Sequence, residues 1–157
     1  MENLYFSVDP EVSDGESKEN LTKLTKSLQE MGYQVYRAPY VFSDDPEVYL
    51  RNHLNLDHNP SYSEQREAHI KWVDEADILL AEISSKSEGR SMIIQRALDA
   101  PLMGIKKKKI VLIKGRQFDR RLGRIVRGLI ESGEVKYFEY DRIEEVVENW
   151  QELIRES

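Results

Sequence analysis

A chain of 157 residues with 39% hydrophobic and 33% charged side chains is expected to form one soluble domain. That length buries about 68–70% of the unfolded surface. It contains no cysteine, which excludes a disulfide framework, a thiolate nucleophile and a cysteine-based zinc site. A net charge of −6 argues against bulk attraction to nucleic acid. No apolar run approaches the ~20 residues of a membrane helix and no signal-peptide pattern opens the chain, so a cytoplasmic protein is the expectation.

In chain order, Asn3 to Ser7 reads as a first strand. Glu2-Asn3-Leu4-Tyr5-Phe6 also resembles a tag-protease site without its glutamine, but the fold needs a strand here and the stretch is taken as native. An acidic turn from Asp9-Pro10 to Gly15 follows. Leu21, Leu24, Leu28 and Met31 then repeat at helical spacing, with Gly32 as a stop. Tyr33 to Tyr36 alternates as strand two. From Ala38 to Tyr62 the periodicity is lost among Pro39, Pro46 and Pro60, which predicts a long loop or lid carrying at most a short helix at Glu47–Asn52.

Ser61-Tyr62-Ser63-Glu64 fits a capping box for a helix to about Glu75. Asp77 to Ile83 is strand three, and a polar loop then leads into a helix from about Ser91 to Leu102. Ile110 to Ile113 is apolar throughout, as in a strand buried on both faces. Leu122, Ile125, Val126, Leu129 and Ile130 mark the next helix, Val135 to Tyr140 the last strand, and Ile143 to Ile154, including Trp150, one closing helix. The alternation predicts a single domain over 1–157. It is a flavodoxin-like α/β sandwich, a five-stranded parallel sheet with helices on both faces.

In such a sheet ligands bind at the carboxyl ends of the strands, where helix N-termini favour anions. That places the centre of interest at the Ala76–Ile94 junction. Ser87, Gly89, Arg90 and Ser91 make either an anion site or an ordinary loop capped by Ser91. Ser7 and Asp9, leaving strand one, belong to the same candidate binding set. The ten basic residues between Lys106 and Arg127 divide by position. Lys106 to Lys109 lies at the opposite end of the sheet as a solvated edge. Lys114 and Arg116 sit at the ligand end, while Arg120, Arg121, Arg124 and Arg127 are placed on the next helix, to hold a phosphate or acidic partner or simply to face solvent.

Several stretches together resemble the nucleoside 2-deoxyribosyltransferase-like family, which includes 2'-deoxynucleoside 5'-phosphate N-hydrolases. They are Leu4-Tyr5-Phe6-Ser7, Trp72-Val73-Asp74-Glu75-Ala76-Asp77, Ala81-Glu82, Ser87-x-Gly89, Arg96-Ala97 and Ile125-Val126-Arg127-Gly128. The resemblance covers nearly the whole chain outside Ala38–Tyr62. It implies the flavodoxin-like fold, a nucleoside or nucleotide ligand, a homodimer with shared sites, and N-glycosidic chemistry at a glutamate nucleophile supported by an aspartate. Those two positions fall on Ile93 and His69. Val8-Asp9-Pro10-Glu11 stands where the family holds sugar and phosphate with glycine-serine and arginine. Ser87 matches a phosphate-contacting serine, whereas Gly123 replaces a second one.

An isoleucine cannot attack an anomeric carbon, so the resemblance implies a nucleotide-binding protein without the standard nucleophile. One alternative is a working N-glycosidase or transferase using a shifted carboxylate, Glu82 or Glu88, with His69 as a possible acid or base. Another is an interaction module with a basic face. Tyr36, Tyr40 and Phe42 could line a base pocket or pack an interface. His53 and His58 flank Asp57 without a third well-spaced ligand, so no metal is expected, nor any cofactor, and neither a membrane nor a nucleic-acid partner.

Overall fold

The computed structural model describes residues 1–9 and 15–155. Most of the predicted Asp9–Gly15 turn, including Pro10 and Glu11, lies outside the described residues. The elements are β1 (Asn3–Ser7), α1 (Gly15–Glu30), β2 (Gln34–Arg37), α2 (Ala38–Val41), α3 (Pro46–His53), α4 (Tyr62–Glu75), β3 (Ile78–Glu82), α5 (Glu88–Asp99), β4 (Lys109–Gly115), α6 (Arg124–Glu131), β5 (Lys136–Tyr140), α7 (Glu144–Glu148) and α8 (Trp150–Leu153). The five strands are all parallel in the order β2-β1-β3-β4-β5. The flavodoxin-like expectation is met.

Side-chain alternation along the strands builds two cores. Leu4, Phe6, Val35, Ile78, Leu80, Val111 and Ile113 pack toward α1, α7 and α8. Tyr5, Leu79, Ala81, Ile110 and Leu112 face the other way, toward α3, α4 and α5. Because residues two apart share a face, strands covered on both sides must be apolar at every position. The tag-like opening is one of these strands. Leu4, Tyr5 and Phe6 are at most 2% exposed, and β1 is paired on both sides, with β2 and β3.

The capping box forms as expected. Ser61 Oγ accepts the Glu64 N–H at 3.1 Å and Glu64 Oε1 accepts the Ser61 N–H at 3.0 Å. The short helix expected at Glu47–Asn52 forms as α3, anchored by buried Leu50. Other expectations need correction. The Ala38–Tyr62 stretch carries a second helix, α2, anchored by buried Tyr40. Pro39 and Pro46 sit in the first turns of those helices, where proline is tolerated because that N–H has no helical partner, so they start helices instead of breaking them. The cap of α5 is Ser87 and not Ser91, one turn earlier than expected.

Arg120 and Arg121 precede α6. Finally, the closing helix is divided at Asn149 into α7 and α8, although Trp150 is core at 1% exposed.

The lysine run does lie at the amino end of the sheet, but it is more than a solvated edge. Lys106 pairs with Asp77 at 2.7 Å, and Lys108 is buried with its ammonium donating to the Asp74 carbonyl.

Leu80 lies in the centre of the sheet with no exposed surface. Leu80→Ala is expected to lower unfolding free energy in urea by about 2–5 kcal/mol, and a loss below about 1 kcal/mol would contradict this packing.

Candidate functional site at the ends of β1 and β3

Strand order reverses between β1 and β3, since β1 leads outward to β2 while β3 leads to β4 and β5. A doubly wound sheet opens a crevice at that reversal, outside the carboxyl ends of the strands. Ser7 ends β1 in register with Ala81 of β3 and is buried. Two residues on, Asp9 Oδ2 accepts from Ser85 Oγ at 3.0 Å, which ties the exit of β1 to the exit of β3.

The loop after β3 turns into α5 through Ser87, whose Oγ accepts the Arg90 N–H at 3.2 Å. Ser91 Oγ donates to the Ser87 carbonyl at 3.0 Å. Glu88 and Gly89 are exposed in the first turn.

Arg90 is the charged residue of this turn that goes inward, and it is only 6% exposed. Its Nη2 donates to the Ser85 carbonyl, and Arg120 Nη1 donates to the same oxygen at 2.9 Å and to the Ile83 carbonyl. Two guanidinium groups therefore converge on one carbonyl. Each keeps a buried N–H with no hydrogen-bond partner, Nη1 on Arg90 and Nε on Arg120; among the described residues these are the unpartnered buried side-chain polar atoms. Burial lowers the Arg90 pKa first and the neighbouring Arg120 lowers it further, while Asp9 and Glu82 oppose the shift. A buried donor without an acceptor costs about 1–3 kcal/mol, and more when charged. An anion accepting both N–H groups would remove that cost and the mutual repulsion together.

The candidate carboxylates are placed differently. Glu82 is buried, with Oε1 accepting the Ser84 N–H at 2.6 Å and Oε2 accepting from the Tyr140 hydroxyl. Burial raises its pKa, against the bonds from Ser84 and Tyr140. Each of its oxygens accepts one hydrogen bond. Lys114 is buried with its ammonium 3.8 Å from Glu139, and Arg116 is paired with Asp141 at 2.7 Å and Glu139 at 3.6 Å. These two predicted binding residues are turned toward acids on and after β5, away from the Ser85 carbonyl.

On the same side of the sheet as α5, His69 of α4 lies in a polar cluster. Tyr5 Oη is 3.0 Å from Nδ1, Tyr40 Oη is 2.9 Å from Nε2, and Arg37 Nη1 is 3.2 Å from Nε2 and donates to Tyr40 Oη. A guanidinium can only donate, so Nε2 accepts and the neutral ring carries its proton on Nδ1, donated to Tyr5. Desolvation, aided by the Arg37 charge, holds the imidazole pKa down to about 3. His69 is thus neutral and not an acid for use near pH 7. Ile93, at the position the resemblance assigns to a nucleophile, is half-buried against the core on this side of the sheet.

His53 stacks on Tyr49, whereas His58 bonds Asp57 and Glu64; among the described residues no group of three His, Asp or Glu side chains is gathered to hold a metal. Arg120 meets Ser85 across 35 positions, and Arg37 and Tyr40 meet His69 across 32 and 29, separations that carry no local sequence signal.

Fold and crevice define a flavodoxin-like α/β protein with a buried Arg90 and a partly exposed Arg120 meeting near the β1/β3 switch point. Among solved structures it is similar to the Clostridium botulinum CMP N-glycosidase BcmB, with a TM-score of 0.64, 18% identity, and coverage of 96% of this chain and 98% of that one. No protein-family model and no curated protein sequence matches the chain. At that identity the likeness establishes the fold, and no helix among the described residues is long and apolar enough to cross a membrane.

The His69 cluster makes stability depend on pH. Below 6.5 the unfolded chain protonates this histidine while the folded one does not. Its contribution is therefore complete above pH 6.5 and declines as pH falls toward 3. His69→Gln removes the titration, so the wild-type advantage over it should shrink by about 2 kcal/mol between pH 6.5 and 5. Parallel stability profiles for the two proteins would contradict a neutral, bonded His69.

Proposed function

We propose that this protein binds a nucleotide at the carboxyl ends of β1 and β3, with the phosphate on Arg90 and Arg120, and that it lacks the carboxylate nucleophile of the deoxyribosyltransferase-like enzymes. The observation that carries the binding half is the meeting of Arg90 Nη2 and Arg120 Nη1 on the Ser85 carbonyl, with Arg90 Nη1 and Arg120 Nε left without hydrogen-bond partners. Their two donors suit the oxygens of a phosphate, which guanidinium groups hold through charge-assisted bonds. The N-terminus of α5 adds favourable potential for an anion at the same place.

The likeness to a protein named as a CMP N-glycosidase supports a nucleotide as the ligand. The sequence resemblance supports it independently, with Ser87 matching a phosphate-contacting serine; here its Oγ caps α5 and so sets the loop on which Arg90 stands.

The chemistry half rests on substitution. Ile93 and His69 stand at the nucleophile and supporting-aspartate positions. Neither Glu82, with both oxygens bonded, nor exposed Glu88 is disposed to replace them. Covalent glycosyl transfer needs a carboxylate free to reach the anomeric carbon.

A panel of nucleoside 5'-monophosphates should therefore raise the melting temperature without releasing base. A ligand at 100 times its Kd adds about 2.7 kcal/mol of stability. Arg90→Gln and the half-exposed Arg120→Gln are each expected to weaken binding at least tenfold. Base release that vanishes in Glu82→Ala or Glu88→Ala would overturn the proposal, as would stabilisation unaffected by both arginine substitutions.

A further inference from the structure

β2 is an edge strand, bonded to β1 on one side only. The Gln34 N–H bonds the Glu2 carbonyl, so alternation along the strand turns the Val35 N–H and C=O outward. Along that free edge runs a groove of about 280 Å³, whose walls include Val35, Tyr36, Tyr49, His53 and Trp72. Its rings form a corner. Tyr36 stacks on Trp72 with centroids 5.6 Å apart and planes 20° from parallel, and Tyr49 stacks on His53 at 6.2 Å and 10°. The two stacks meet nearly at right angles, His53 lying at 76° to Tyr36 and 73° to Trp72.

We propose that this groove binds a neutral planar nitrogen heterocycle of nucleobase size, seated in the aromatic corner with its hydrogen-bonding edge against the Val35 main chain. Three features fix the chemical class. The volume lies between the ~150 Å³ that encloses a benzene ring and the ~300 Å³ at which drug-sized pockets begin, which suits one ring system without sugar and phosphate. Rings offering both a face and an exposed edge suit a planar ligand, by stacking and by edge-to-face contact. The outward N–H and C=O of one residue offer a donor and an acceptor side by side, as the edge of a base requires.

No lysine or carboxylate lines the groove among the described residues, and Arg37 at its wall is bonded to Tyr40 and His69. The site stands apart from the Arg90–Arg120 pair and does not rest on the reading given to that pair.

Titration of the full chain with free adenine and free cytosine, followed by tryptophan fluorescence, tests the proposal. The result expected is saturable quenching by at least one base. Its affinity should fall at least tenfold in Tyr49→Ala and in His53→Ala, both exposed positions that fold independently of the ligand, and stay within twofold in Arg90→Gln. The absence of saturable quenching would overturn it, as would quenching unchanged in both variants. So would sedimentation showing that β2 is instead covered by a second copy, through self-association abolished by Val35→Pro, since a free strand edge also suits strand addition. Loss of nucleotide binding in Arg90→Gln with base binding intact would separate the two sites.

Discussion

The carbonyl oxygen of Ser85 is the point on which the crevice depends. It accepts from Arg90 in the first turn of α5 and from Arg120 in the segment between β4 and α6, while the Ser85 hydroxyl donates to Asp9 beyond β1. Three connections that leave the sheet at its carboxyl end are thereby tied to one residue. Holding two guanidinium groups so close would be unfavourable in isolation. The neighbouring acids Asp9 and Glu82 offset part of that repulsion, and Arg90 Nη1 and Arg120 Nε are left without hydrogen-bond partners.

Under α4, Tyr5, Tyr40 and Arg37 bond a neutral His69, and Ile93 of α5 is partly buried against the core on the same side of the sheet. A carboxylate put among these groups would face desolvation, whereas histidine satisfies the two tyrosine hydroxyls and accepts from Arg37 without carrying charge.

Much of the frame could be read from the sequence. The apolar run Ile110–Ile113 in β4, the capping box at Ser61 and Glu64, and the strand at Leu4-Tyr5-Phe6 each carry a local pattern with one structural solution. The misreadings also have local causes. Pro39 and Pro46 read as breakers because the same residue opens a helix and interrupts one. The α5 start was placed a turn late because Glu88-Gly89-Arg90 lacks apolar residues, and Ser87 and Ser91 are equally good caps by type. The guanidinium pair was not legible as a pair, because Arg90 and Arg120 meet only through a carbonyl 35 residues from one of them. An arginine in a helical first turn gives no local sign that it will be buried.

The central claim is that a phosphate completes this crevice. Isothermal titration of the wild-type protein with a nucleoside and with its own 5'-monophosphate isolates that group, because base and sugar are common to both ligands. Hydrogen bonds to charged groups contribute about 1.5–3 kcal/mol each, so the monophosphate should bind at least tenfold more tightly than the nucleoside. Equal affinities for the two would contradict the account.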